Sequence, residues 1–156
     1  MSNVPERGRL LGLDVGGKRI GVAVSDEGQI LSSPWGMVEQ GRNAIEDIGR
    51  IARDAGAVAI VAGLPTGLSG REGAQAADTR RFADSVGAAL DLPLSYWDER
   101  LTSSQAERML VEAGLSRKDR RNQIDALAAS LMLQTYLDSR IHRRRRNENA
   151  RKSAAT

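Results

Sequence analysis

The order in which strand-like and helix-like segments follow one another most constrains the fold of this chain. Residues 9–14, 19–25 and 29–38 each have the pattern of a strand, the second with strict alternation of side chains, and only short turns separate them. Connections this short join antiparallel neighbours, so the three strands are predicted to form a meander. Pro34 interrupts the third strand and predicts that it lies at an edge of the sheet.

After residue 42 the pattern changes to an alternation of helices and strands. The first helix is predicted from an N-cap at Asn43, with Glu46 in capping-box register, to a stop at Gly56. Strands over residues 57–64 and 92–98 follow, with further helices over residues 72–90, 102–113 and 119–139. A strand reached through a helix is typically parallel to its neighbour. The chain is therefore predicted to be an α/β protein with one mixed five-stranded sheet, an antiparallel meander plus two parallel βα units, flanked by helices. The first strand is expected to lie centrally.

Positive charge is concentrated at the C-terminal end. Residues 140–156 contain seven Lys or Arg and the single acid Glu148, whereas the preceding residues contain 16 basic and 19 acidic residues. The chain is accordingly divided into one folded domain, residues 1–139, and a basic tail, residues 140–156, which is expected to be disordered. The four arginines 143–146 suit phosphate groups, so this composition is compatible with a nucleic-acid partner.

The missing residue types narrow the chemistry. The chain has no cysteine and one histidine, His142, in the basic tail. This count argues against disulfides, thiolate nucleophiles, catalytic triads with histidine and His- or Cys-ligated zinc. Catalysis would rest on carboxylates, Lys, Arg, Ser, Thr or Tyr. The sequence has neither an apolar stretch of membrane-spanning length nor a signal-peptide core, so a cytoplasmic protein without a membrane partner is expected.

Two carboxylates occupy positions that are unusual for a charge. Asp14 closes an apolar strand beside the Gly16–Gly17 turn, and Asp125 lies one turn inside a helix that is apolar nearly all round. Buried carboxylates are costly unless they are paired or bind a metal. Asp14 could instead cap the glycine turn, and Asp125 could pair with Arg121, four residues earlier.

A third carboxylate, Glu99, ends a predicted strand next to Asp98. Strand alternation puts these two residues on opposite faces, and their spacing does not decide which one faces a shared site. Charged residues at strand ends are also common on ordinary surfaces. If three such carboxylates meet, their oxygens suit Mg²⁺ or Mn²⁺, the ions that support phosphodiester hydrolysis without His or Cys.

Four linked motifs resemble the YqgF/RuvX family. They are DVGGKRIGVA at residues 14–23, GLP at 63–65, DERLTS at 98–103 and IDALAA at 124–129, in this order within residues 8–139. The family is described as RNase H-like, both as Holliday-junction resolvases and as nucleases that mature the 5′ end of pre-16S rRNA. The resemblance implies an RNase H-like fold and a nuclease in which Asp14, Glu99 and Asp125 are catalytic and bind Mg²⁺ or Mn²⁺. It also selects Glu99 over Asp98.

Basic residues beside these motifs are the candidates for nucleic-acid binding. Lys18 and Arg19 follow the glycine turn, where they could hold phosphate or only cover a sheet edge. A second group leads into the Asp125 helix and could equally be a solvated linker; it comprises Arg117, Lys118, Arg120 and Arg121. On the resemblance, the expected partner is RNA, as pre-16S rRNA or a ribosomal particle, with branched DNA as the alternative. Monomer and homodimer both stay open.

Two other function classes compete with a nuclease. Actin-like ATPases and sugar kinases have a similar Asp-x-Gly phosphate loop before a β-hairpin, but they need two such lobes, and 156 residues supply one. A non-catalytic adaptor that docks on RNA or on the ribosome would keep the fold without the chemistry. The three carboxylates argue against an adaptor, because docking alone does not require buried oxygen ligands.

Overall fold

The part of the chain described by a computed structural model comprises residues 3–65, 73–99, 112, 114 and 117–155. Its strands are β1 (Arg9–Val15), β2 (Arg19–Ser25), β3 (Ser32–Glu39), β4 (Ala57–Pro65) and β5 (Leu94–Glu99). The helices described are α1 (Ala44–Ala55), α2 (Ala74–Leu90) and α3 (Arg117–Ala154). The predicted helix over residues 102–113 lies outside the described range, except for Glu112.

Strand β1 occupies the centre of one five-stranded sheet. The strand order is β3–β2–β1–β4–β5, in which the first two pairs are antiparallel and the last two are parallel. This arrangement confirms the predicted α/β fold, with its meander, its two parallel βα units and its central first strand. Strand β3 lies at the edge, as Pro34 predicts, and its pairing with β2 shifts register beside that proline.

The turn before β3 explains why this strand begins later than predicted. The Asp26 carboxylate accepts hydrogen bonds from the backbone N–H groups of Ile30, at 2.8 Å, and Leu31, at 3.0 Å. These bonds hold residues 26–31 as a closed turn, which prevents the segment from pairing with β2. The residues that sequence periodicity assigned to the start of the strand therefore belong to the turn.

The two ends of α1 behave differently from one another. Gly56 adopts a left-handed conformation with φ 66°, and its N–H reaches back to the end of the helix, as predicted. The predicted N-cap position at Asn43 is confirmed, since the helix begins at Ala44, but the Asn43 side chain makes no capping hydrogen bond. Asn43 has φ −97° and ψ 3°, whereas a capping side chain requires extended backbone geometry.

The two faces of the sheet carry side chains of different size. The face covered by α1 and α2 buries large aliphatic residues, namely Leu11, Leu13, Val15, Ile20, Val22, Val24, Val38 and Ile60, against Ile48 and Val86. The face covered by α3 buries Leu10, Ala23, Ala59 and Val61 against Ala129, Met132, Leu133 and Leu137. Gly12 also faces α3, since a Cβ atom at this position would lie 3.0 Å from Cβ of Leu133. Small residues therefore let α3 approach the sheet closely.

Helix α3 is longer than the sequence pattern predicts. It was expected to end near residue 139 and to be followed by a disordered tail, but the structure continues it to Ala154. Residues 140–154 contain neither Gly nor Pro, and six of them are Arg, which favours helix. A helix already nucleated by packing extends at low cost, so the charge that suggested disorder does not stop it. None of the helices described combines the length and apolar character that crossing a bilayer requires.

Candidate active site

The close contact between α3 and the β1–β2 hairpin brings two of the three candidate carboxylates to one face of the sheet. Asp14, half-buried near the end of β1, pairs directly with Gly21 of β2. Directly opposed residues of an antiparallel pair project to the same face. A Cβ atom at Gly21 would lie 1.8 Å from the backbone carbonyl oxygen of Asp125, so Gly21 faces α3 and touches it there. Asp14 and Asp125 consequently flank the same glycine.

The Asp125 carboxylate is held by an arginine from the hairpin. Nε of Arg19 donates a hydrogen bond to Oδ2 of Asp125 at 2.6 Å. The Asp125 side chain is 20% exposed and the Arg19 side chain is 35% exposed, so the pair is shielded on one side and open to solvent on the other. This contact differs from the pair with Arg121 that helical spacing allowed; the side chain of Arg121 lies outside the described residues.

Backbone hydrogen bonds hold the turn between β1 and β2 rigidly. The N–H of Gly16 donates to the carbonyl of Arg19 at 2.9 Å. Gln40 closes the turn from β3: its backbone N–H donates to the carbonyl of Lys18 at 2.9 Å and its side-chain Nε2 to the carbonyl of Gly16 at 3.0 Å. This bonding fixes the backbone from which Arg19 reaches Asp125, and leaves Lys18 exposed at the tip of the turn.

The third candidate, Glu99, is the last residue of β5, and its backbone pairs with Pro65 of β4. Two residues earlier, Trp97 packs edge-on against Tyr136 of α3, with ring centroids 5.6 Å apart, and its Nε1 donates to Oγ1 of Thr135 at 2.8 Å. Because alternate residues of a strand share a face, position 99 belongs to the α3 face. The side chain of Glu99 itself lies outside the described residues.

The neighbouring acid, Asp98, belongs to the opposite face of β5. Tyr96, two residues before Asp98 in β5, faces α2, because its hydroxyl donates a hydrogen bond to the backbone carbonyl of Arg80 in α2 at 3.1 Å. Positions 96 and 98 share that face by alternation, and Asp98 is exposed there. The strand geometry therefore separates the two acids that spacing alone could not rank.

Strand register places two of the three candidates, Asp14 and Glu99, at the same end of the sheet, where the parallel strands finish. Leu13 of β1 pairs with Ala62 of β4, and Ala62 pairs with Tyr96 of β5, so these three residues lie side by side across the sheet. Asp14 follows this row by one residue along β1, and Glu99 follows it by three residues along β5. Their strands are two spacings apart, about 10 Å. Between them on the α3 face β4 carries Gly63, two residues after the buried Val61. Gly63 contributes no side chain to the space between the two positions.

The donor chemistry at this end of the sheet fits a divalent cation with oxygen ligands. Asp14 and Asp125 supply carboxylates on one face, and position 99 adds a third acid on that face and at that end, which is the hard-oxygen environment that Mg²⁺ and Mn²⁺ prefer. Within the described side chains, which leave out that of Glu99, groups of three or more His, Asp or Glu in metal-binding proximity do not occur.

The second basic group lies at the start of α3. Arg117, Lys118, Arg120 and Arg121 form its first turns, and their side chains lie outside the described residues. From Asp125 the helix runs across the sheet towards the opposite end of the strands, where Arg140 contacts Pro5 and Gln29. The backbone of the basic group therefore extends past the end of the sheet that carries Asp14.

Sequence reasoning missed two residues on which this geometry depends. Gly21 allows the helix to touch β2, and Gln40 fixes the hairpin turn. The run of small residues Gly21, Ala23 and Ser25 on one side of an otherwise aliphatic strand was the available signal for close packing. Nothing local distinguishes Gln40, because its partners lie more than twenty residues earlier in the chain.

Known proteins resemble this chain over nearly the whole of its folded domain. The family model described as RuvX, Holliday junction resolvase, matches residues 8–139. A protein of Pelotomaculum thermopropionicum named "Putative pre-16S rRNA nuclease" is 43% identical over 147 residues, covering 88% of this chain and 91% of its own. One of the same name from Acidiphilium cryptum is 42% identical over 139 residues, covering 88% of each chain.

Solved structures show a related fold at much lower sequence identity. Thermus thermophilus RuvC in complex with a Holliday junction substrate superposes with a TM-score of 0.50 and 15% identity, covering 86% of this chain and 96% of that protein. At this identity the likeness concerns the fold alone. The sheet order and the flanking helices are accordingly those of an RNase H-like fold.

Proposed function

The chain belongs to the RuvX family of Holliday junction resolvases, and from this premise we propose that it is a metal-dependent nuclease acting at the 5′ end of pre-16S rRNA. Membership of the family makes it a hydrolase of phosphodiester bonds. The choice of ribosomal RNA is supported by relatives that carry this substrate in their name at 42% and 43% identity over most of both chains.

The observation that carries the site assignment is the contact at Gly21. It brings the backbone of Asp125 against the strand pair that contains Asp14, although the two acids are more than a hundred residues apart in the chain. Glu99 completes the set through its position on the same face and at the same end of the sheet. The exposed Asp98, on the opposite face, is left out of the set.

In this proposal Asp14, Glu99 and Asp125 would hold Mg²⁺ or Mn²⁺. The bound ion would supply activation of a water molecule and neutralisation of charge on the phosphate oxygens. The carboxylate of Asp125 is oriented by Arg19, whose Nε fixes Oδ2. A residue that orients a metal ligand in this way raises the precision of the site without touching the ion.

Arg19 has a second role in the proposal. Its side chain remains 35% exposed while one of its nitrogen atoms is bonded to Asp125. The guanidinium group has five N–H donors in a planar fork, so the remaining donors can bind a phosphate oxygen of the substrate. Lys18, at the tip of the same turn, would add a second positive charge. The first turns of α3, from Arg117 to Arg121, would continue this basic surface past this end of the sheet.

The family description itself favours a second candidate, resolution of branched DNA. Both functions would use the same carboxylates, so the substrate must be distinguished experimentally. The decisive experiment incubates the protein with a labelled RNA spanning the 5′ end of pre-16S rRNA, with a four-way DNA junction, and with the assembled ribosomal particle. Each substrate is tested with Mn²⁺, Mg²⁺ or EDTA.

A matched pair of variants makes the result specific to the site. Asp14→Asn removes a proposed ligand, whereas Asp98→Asn alters an exposed acid on the opposite face of the sheet. The proposal expects metal-dependent cleavage of the RNA by wild type and Asp98→Asn, and its loss in Asp14→Asn with RNA binding retained. Cleavage of the junction alone would establish the resolvase instead. Binding without cleavage of any substrate would identify a non-catalytic adaptor.

A further inference from the structure

The C-terminal part of α3 projects beyond the folded domain as a charged helix. We call residues 141–155 the basic arm; it contains six Lys or Arg, one acid and His142. From residue 145 onward every residue described in the arm is exposed. The family model ends at residue 139, so the arm lies outside the part of the chain on which the proposed function rests.

The arm leaves the domain from a fixed point. The guanidinium group of Arg140 donates to Oε1 of Gln29 at 2.7 Å and to the backbone carbonyls of Pro5 and Val4, each at 3.2 Å. Its Cζ also lies 5.6 Å from the ring centroid of Tyr136. Gln29 is completely buried and is itself bonded to the N-terminal segment. These contacts clamp α3 one residue before the arm begins.

The contacts of Arg140, which anchor the end of α3, lie at one end of the strands of the sheet, and the candidate active site lies at the other end. Asp125 contacts the start of β2, whereas Arg140 contacts the segment before β1 and the turn before β3. At 1.5 Å of rise per residue, Arg140 is about 22 Å and Lys152 about 40 Å from Asp125 along the axis of one continuous helix. The arm therefore cannot touch the phosphate that the active site hydrolyses.

The distribution of charge identifies the kind of partner. Four consecutive arginines, residues 143–146, point around most of the helix circumference, since successive residues turn by about 100°. A helix that lies on a membrane or packs on a protein needs an apolar stripe, and in the arm the only large apolar residue is Ile141, next to the anchor. Positive charge around the whole helix instead suits a nucleic acid, whose phosphate groups can approach the helix from more than one direction.

We propose that the basic arm is a distal nucleic-acid contact, which binds the phosphate backbone of the substrate about 27–40 Å from the bond that is cleaved. The inference rests on the proposed nuclease function for the identity of the ligand. It adds that the arm acts only on substrates long enough to reach it. The arm then contributes affinity without contributing sequence specificity, because phosphate contacts carry no sequence information.

The test compares two RNA hairpins and two matched variants. A stem of six base pairs spans at most about 20 Å and a stem of twenty about 68 Å, at a rise of about 3.4 Å or less per pair. The arm variant replaces the exposed Arg143, Arg145 and Arg146 by Gln, which retains helix propensity. The control variant replaces the equally exposed Arg50, Arg53 and Arg81 of α1 and α2 by Gln, which removes the same net charge.

Binding is measured by fluorescence anisotropy in EDTA, with KCl varied from 50 to 200 mM, and helicity is checked by circular dichroism. If two of the three arginines contact phosphate at a time, the salt slope on the long hairpin falls by about 2, so wild type loses about tenfold more affinity over this range than the arm variant. The control variant should retain the wild-type slope. On the short hairpin the arm variant should match the control variant.

Three results would overturn the proposal. Equal affinity and slope of the arm and control variants on the long hairpin would mean that the arm does not bind nucleic acid, and would direct attention to an acidic protein partner. An equal loss on both hairpins would mean that the arm reaches short RNA and is not a distal contact. If the arm variant lost helicity, Arg→Lys replacements at the same positions would keep the charge, and their failure to bind the long hairpin as wild type does would also overturn the proposal. Since these measurements need no cleavage, failure of the nuclease assignment would appear separately.

Discussion

The two faces of the sheet are built from different residues, and the difference separates stability from chemistry. The face under α1 and α2 buries eight aliphatic strand residues of the size of Val, Leu or Ile. The face under α3 is lined by glycine and alanine wherever the helix comes closest, as at Gly12, Gly21 and Ala23. All three candidate carboxylates belong to this second face. Close approach of a helix backbone, not side-chain volume, therefore forms the candidate site.

Large aliphatic side chains on the second face would keep α3 at the usual distance and would separate Asp125 from the strand that carries Asp14. Burial of apolar area stabilises either face by about 25 cal/mol per Å², so the small residues reduce the stability that this face contributes. The comparison predicts that substitutions on the α3 face alter activity first, whereas those on the other face alter stability alone.

The largest effect is expected from Gly21→Ala. The added Cβ would overlap the carbonyl oxygen of Asp125, and because this atom is backbone the helix must move as a whole. We expect complete loss of cleavage and a decrease in unfolding free energy of about 3 kcal/mol or more, measured by urea denaturation.

Gly36→Ala is the matched control, since a Cβ at that glycine of β3 meets no atom within 4 Å. This variant should keep both stability and activity. If Gly21→Ala retained wild-type cleavage, the close approach of α3 would not be needed for the site.

Ile48→Ala probes the opposite face. Ile48 is completely buried between α1 and the sheet, so its truncation should lower the unfolding free energy by about 3 kcal/mol through lost burial and the cavity left behind. Cleavage per folded molecule, assayed well below the midpoint of thermal unfolding, should equal that of wild type. A decrease in activity of the fully folded variant would show that the two faces are coupled, and the assignment of stability to one face and activity to the other would be wrong.

Arg19→Gln should reduce activity without unfolding the protein. Removing the group that orients Asp125 is expected to lower metal affinity or cleavage by about 10- to 100-fold. Metal affinity is measured by calorimetric titration with Mn²⁺, and cleavage is measured separately as kcat/KM on the RNA substrate.

Its control is Arg50→Gln, which removes an exposed arginine that lies 3.8 Å from Asp47 within α1. An exposed helical pair of this kind contributes about 0.5 kcal/mol or less, so activity should not change. Equal behaviour of the two variants would exclude an orienting role for Arg19.

The smallest effect is expected at the turn before β3 and depends on pH. The pKa of Asp26 is lowered chiefly by the hydrogen bond from the N–H of Leu31, with that of Ile30 and the charge of Arg9 adding and partial burial opposing. A lowered folded-state pKa stabilises the protein above the unfolded-state value of 3.8, and the stabilisation is lost as pH falls through the folded-state value.

Asp26→Asn should therefore be less stable than wild type at pH 7. Because Asp26 is exposed and its charge is screened by solvent, the difference should be about 0.5 kcal/mol or less, and it should shrink below about pH 4. Urea midpoints at pH 7 and pH 3 measure it. Glu27→Gln, an exposed acid of the same turn, serves as the control. A difference between wild type and Asp26→Asn that stayed constant with pH would rule out this linkage.

The chain's periodicity accounts for most of the fold. Alternation in β2 and helical spacing in α1 were sufficient for the meander, the βα units and the edge position of β3, because these patterns reflect which side of an element is buried. The N-cap position at Asn43 was predicted correctly, but the expected side-chain hydrogen bond is absent, because it depends on backbone angles that the residue types do not specify. The extent of α3 was underestimated because charge was weighed above the absence of Gly and Pro.

The candidate site divides in the same way. Local features of the sequence made Asp14, Glu99 and Asp125 the candidates: Asp14 and Asp125 are charges at apolar positions, and the family motifs add Glu99. Three other features are visible only in the tertiary structure, where the elements are packed together. Arg19 binds Asp125, 106 residues away, and the lack of a side chain at Gly21 lets the helix backbone contact β2. The basic arm leaves the domain at the end of the strands opposite to the candidate site. Local patterns reflect the environment of each residue, whereas these contacts depend on distances between elements, which are set when the elements pack together.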